Sequence, residues 1–190
     1  MDFHWIEMTA GKAALAIFVN AFAGKLYMTG LRVSFQMSDG IIKGIMSPNA
    51  FKANASKFEK DEDAKVASKA QLNNAEYSGL LCAALLFLHV AVQGEEQICG
   101  PNFVCDGTAV TLGNMNSQIE TACGLIVLGS LVHLWGQILV GPFPFQTLGG
   151  LPRYIGMFML VPALQVATMR NVKQFSPDYQ SQFATVTVPE

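Results

Sequence analysis

Long apolar runs alternate with short polar ones along the chain. Four apolar runs stand out, at residues 13–35, 66–93, 119–140 and 153–170. The second and third are long enough to cross a bilayer as helices, which takes about 20 residues. The first is most apolar over residues 13–24 and is followed by Lys25 and Arg32, so it spans with Lys25 snorkelling or turned toward protein. The fourth is short for a span and contains Pro162, which predicts a kink. Gly141-Pro-Phe-Pro-Phe145 ends the third run, because proline cannot continue a helix and restricts the residue before it. Between the runs lie a polar connection (36–64), an acidic loop (94–117) and a polar tail (171–190). The pattern predicts an all-α fold: one domain over residues 1–190, an integral membrane bundle of four transmembrane helices.

Composition agrees with that pattern. Hydrophobic residues make up 51% of the 190 and charged ones 14%, against roughly 25% charged in an average soluble domain. The net charge of −2 leaves no basic footprint, so nucleic acid is excluded as a partner. Lys43, Lys52, Lys57 and Lys60 crowd the first connection, while the loop at 94–117 has no Lys or Arg. The positive-inside rule then places 36–64 and the third connection on the cytoplasm-like side, and the acidic loop with both termini on the other. The acids at 59–63 suit a helix start. Trp135, Phe143 and Phe145 read as interfacial anchors, and Met157 and Met159 as adaptable packing among helices and lipid. Met1-Asp-Phe-His-Trp-Ile-Glu7 lacks the basic start and cleavage site of a signal peptide; an upstream targeting peptide stays open.

The candidate chemistry sits at the mouth of the second run, in Lys69-Ala-Gln-Leu-Asn-Asn-Ala-Glu-Tyr77. On a helix, Lys69, Asn73, Glu76 and Tyr77 share one face. A carboxylate beside hydrocarbon must pair or take up a proton. Arg32, Lys69 and Arg153 are the cations expected at the same membrane surface as Glu76. With Gln71, Asn73 and the Tyr77 phenol they would line a pocket for a small zwitterionic or anionic ligand. The alternative is an ion-pair cluster that fixes helix register.

This stretch resembles the second-helix signature of the membrane-associated proteins in eicosanoid and glutathione metabolism (MAPEG), Arg-Ala-Gln-x-Asn-x-x-Glu-Tyr. Ala70, Gln71, Asn73, Glu76 and Tyr77 match it, and Lys69 stands in place of its arginine. Thr29-Gly-Leu-Arg32 is similar to the end of that family's first helix, and Leu151-Pro-Arg153 to the entry of its fourth. The resemblance implies a homotrimer with glutathione as cosubstrate, held by Arg32, Lys69, Gln71, Asn73, Glu76 and Tyr77. Arg153 would stabilise the thiolate, and the activity would be that of a transferase or peroxidase acting on lipophilic electrophiles. It also implies an endoplasmic reticulum or organellar membrane.

The family's third helix usually ends in an arginine–tyrosine pair, and residues 131–140 contain neither residue type. That departure motivates a second expectation, a non-catalytic subunit of a larger respiratory or photosynthetic membrane complex in a mitochondrial or thylakoid membrane. Chlorophyll, carotenoid or structural lipid would then be bound, with His89 or His133 as pigment or haem ligand. Packing is the commoner role for an intramembrane histidine. His4 lies near the N-terminus, and no paired spacing for a metal appears. Cys99 and Cys105 share a short loop and could form a disulfide, whereas Cys82 and Cys123 read as buried thiols.

Overall fold

The structure, a computed structural model, describes residues 8–40, 59–99, 112–141 and 143–174, with side chains for 8–33, 59–95, 112–141 and 143–169. Among the described residues the fold is all-helical, without strands. Four long helices follow one another: α1 (Ala10–Gly40), α2 (Glu62–Cys99), α3 (Asn116–Leu139) and α4 (Phe145–Gln174), with a single 3₁₀ turn (Gly113–Met115) leading into α3. Three of them are long and apolar enough to cross a membrane: α1, α2 and α3 with its preceding turn. α4 is not among these three. Gln146, Thr147, Arg153 and Gln165 interrupt its apolar sequence, and it contains Pro152 as well as Pro162.

The helices reach further than the apolar runs suggested. α1 continues through residues 36–40 and α2 to Cys99, into segments that polarity had marked as connections. Polar residues stop a helix only when they offer the backbone a competing partner, as caps and turns do. The start of α2 has such a partner: Asp61 Oδ1 accepts the Ala64 amide at 2.8 Å, the geometry of an N-cap. The end of α3 has another. Gly141 takes a φ of 129°, and its amide turns back to the Gly136 carbonyl at 3.2 Å. α4 begins at Phe145, eight residues before the expected entry at 153, and carries Pro152 within it.

Contacts fix the arrangement. Gly11 lies against His89, and the Cys82 thiol donates to the Ala14 carbonyl, so α1 and α2 run antiparallel. Asn20 meets Ser130 and Tyr27 meets Trp135, so α1 and α3 run parallel. Gln118 Nε2 donates to the Met159 carbonyl at 2.8 Å while Gly136 lies under Phe145, so α3 and α4 run antiparallel. The result is an up-and-down bundle around Ile17, Leu85, Leu88, Cys123, Ile126 and Ala163.

The α3–α4 seam is the tightest. A Cβ on Gly149 would collide with the His133 amide nitrogen, and one on Gly129 would lie 2.6 Å from that of Arg153. A Cβ on Gly156 would likewise lie 2.6 Å from the Ala122 carbonyl oxygen. Backbones touch here because no side chain intervenes, the usual device of helices that lack a hydrophobic driving force between them. Large apolar side chains, Phe18, Phe22, Leu80, Leu86, Val90 and Phe158 among them, cover the outside.

Candidate functional site

The seam carries Arg153 into the interior. Its residue is 1% exposed, the largest fully buried side chain described. Gly129 makes room for its backbone, so the guanidinium extends across toward α2. There Nη2 donates to Asn73 Oδ1 at 3.2 Å. Its Cζ lies 4.6 Å from the Tyr77 ring centroid and 5.4 Å from that of Tyr154, within cation–π range of both. The two rings meet edge to face at 6.0 Å, and the Tyr154 hydroxyl donates to the Tyr77 hydroxyl at 3.2 Å. Arg153 Nε and Nη1 are buried and have no hydrogen-bond partner among the described residues.

That arrangement is costly as it stands. A buried charge persists when it is paired, and buried donors are nearly always satisfied. Two aromatic faces and one amide oxygen meet part of the need, and two directions remain for an anion. The site is therefore a cationic socket: a guanidinium walled by two phenols and an amide, able to receive a carboxylate, a thiolate or another small anion.

Of the expected pocket, Arg153, Asn73 and Tyr77 come together. Lys69, Glu76 and Arg32 do not join them: all three side chains are exposed, and Gln71 is half-buried beside Gly24. The expected ion pair of Glu76 with Arg32, Lys69 or Arg153 is corrected, since Glu76 forms no ion pair among the described residues. Helix geometry supplies the reason. Measured from Asn73 at about 100° per residue, Tyr77 lies about 40° to one side, while Lys69 and Glu76 lie about 40° and 60° to the other. α4 packs on the Tyr77 side, leaving the charged edge outside.

The remaining candidates fall elsewhere. His133 is buried on α3, its Nδ1 3.3 Å from the Gln146 carbonyl. His89 turns its Nε2 edge onto Gly11, with Nε2 3.0 Å from where a Cβ would stand. Trp135, expected as an interfacial anchor, instead points inward and donates to Asn20 Oδ1 at 2.9 Å. Phe145 packs on Gly136, and Phe143 is exposed. Cys99 ends α2, and Cys105 lies outside the described residues, as do His4 and the tail beyond residue 174; Cys82 and Cys123 are free thiols. No group of His, Cys, Asp and Glu suited to a metal occurs among the described residues.

Tyr154 and the glycines of the seam did not figure among the expected site residues. Gly129 and Gly136, like Gly149 and Gly156, stand at i and i+7 on one helix face, a small-residue spacing that marks close approach. Tyr154 carries a weaker signal, its position directly after Arg153. The chain matches no protein-family model, no curated protein and no solved structure.

Proposed function

We propose that this is an integral membrane protein of MAPEG-like character whose Arg153 socket binds the anionic end of glutathione, serving a transferase or peroxidase reaction on lipophilic electrophiles. The observation that carries the reading is Arg153 itself: fully buried, walled by Tyr77, Tyr154 and Asn73, with two donors unpartnered. A cation beside a thiol favours its thiolate, the nucleophile for attack on an electrophilic carbon or a peroxide oxygen. Arg153 would hold that charge, with the Tyr77 and Tyr154 hydroxyls as nearby donors. Lys69 and Glu76 lie at the outer edge, and they would reach the peptide where a second protomer closes over that edge, whereas Gln71 turns toward α1 beside Gly24 and Arg32 is exposed on α1. That requirement fits the homotrimer of the same reading. The membrane setting draws support from the three span-length helices and the apolar exterior.

The test is glutathione conjugation to a panel of lipophilic electrophiles by the chain in lipid nanodiscs. Turnover that falls at least tenfold in Arg153→Ala supports the reading. Equal turnover in that variant sinks the role of Arg153.

One observation favours a second reading, a non-catalytic subunit of a larger membrane assembly. Lys69 and Glu76 stand exposed on a helix whose neighbours Leu72 and Leu80 are also exposed, and charges on an apolar surface need a protein partner. Co-purification in fixed stoichiometry with other membrane proteins, without glutathione turnover, would select it.

A further inference from the structure

We propose that Tyr154 is the gate of the Arg153 socket: an anion reaches Nε and Nη1 when the Tyr154 ring swings outward from Tyr77. The inference rests on the reading above for the identity of the anion, but not for the gate. Arg153 is 1% exposed, yet two of its donors have no partner among the described residues. A ligand that satisfies them has to pass whatever covers them. Asn73 and the backbone at Gly129 belong to packed helices, so their displacement would part the bundle. Of the groups in contact with the guanidinium, the tyrosine pair remains.

The two tyrosines are unequal. Tyr77 packs against the central core, whereas Tyr154 is 40% exposed on the outer surface of α4, flanked by the exposed Leu151 and Ile155. Tyr154 is held by its hydroxyl contact with Tyr77, an edge-on ring contact and the guanidinium beneath. A turn about its χ1 breaks these without moving backbone, as exposed rotamers do on fast timescales. Tyr77 stays as the fixed wall. The opening faces the apolar exterior between α2 and α4, so the gate admits ligands from the side of the bundle.

The gate is tested by the reactivity of Arg153 toward phenylglyoxal, an arginine reagent, on the full chain in nanodiscs. Modification of Arg153 is followed by peptide mass spectrometry, with the exposed Arg32 as internal reference. Arg153 in the wild type reacts far more slowly than Arg32. Tyr154→Phe and Tyr77→Phe each remove the hydroxyl contact and keep the ring, and each speeds modification of Arg153 about three- to tenfold, the worth of one hydrogen bond. Tyr154→Ala speeds it further. Arg153 reacting at the Arg32 rate in the wild type, or no acceleration in either phenylalanine variant at an unchanged thermal midpoint, overturns the gate. Glutathione sulfonate, which carries an anion in place of the reactive thiol, is then added to Tyr154→Phe. Protection of Arg153 supports both gate and ligand. Acceleration without protection supports the gate and counts against glutathione.

Discussion

The polar stripe of α2 has two edges, and they meet different surroundings. Asn73 and Tyr77 turn inward and hold Arg153, whereas Lys69 and Glu76, on the same helix and within two turns, stand exposed. In the sequence the four are equivalent members of one face. The packing of α4, set by glycines rather than by the stripe, divides them. A polar motif therefore identifies a face, and the neighbouring helix decides which part of it becomes a site.

The largest effect expected from breaking this comparison comes from the seam. Gly149→Leu places a side chain where the His133 backbone already lies, so α3 and α4 separate and Arg153 loses its seat. The expected destabilisation is about 3 kcal/mol or more, the upper range for overpacking, read as a lowered midpoint in denaturant unfolding from detergent. Next comes the inner edge. Asn73→Ala removes the one hydrogen-bond acceptor described for the buried guanidinium and should cost about 1–3 kcal/mol. Tyr77→Phe keeps the ring under Arg153 and loses the hydroxyl contact, for about 1 kcal/mol or less. The outer edge should be nearly silent: Lys69→Met and Glu76→Gln each stay within about 0.5 kcal/mol of the wild type in the isolated protomer, as exposed substitutions do. A loss for Glu76→Gln comparable to that for Asn73→Ala would show that the two edges are energetically alike, against the division drawn here.

Much of the architecture was legible from hydrophobic pattern. Helices cover all four apolar runs because membrane-length apolar stretches leave the backbone little choice but to bond within itself. Helix ends were less legible. The extension of α2 to Cys99 and the start of α4 at Phe145 depend on caps and on proline tolerated within a helix, which polarity does not report. In the site, Arg153, Asn73 and Tyr77 were nameable from residue type and spacing. Their separation from Glu76 was not, because 3.6-residue periodicity places residues on a face without saying where the next helix will lie. Tyr154 stayed hidden for a related reason: its meeting with Tyr77 follows from the parallel course of α2 and α4, a tertiary fact.

If the Arg153 socket serves a ligand rather than stability, one substitution separates the two. Replacing a buried charge by an apolar side chain of similar length is often neutral or stabilising, so Arg153→Met should unfold at the same temperature as the wild type or higher. Glutathione binding is then measured by calorimetry on both proteins in nanodiscs. The expected result is binding to the wild type and its loss, by at least tenfold in affinity, in a variant that is no less stable. Equal binding by Arg153→Met, or no binding by a folded wild-type oligomer, would contradict it.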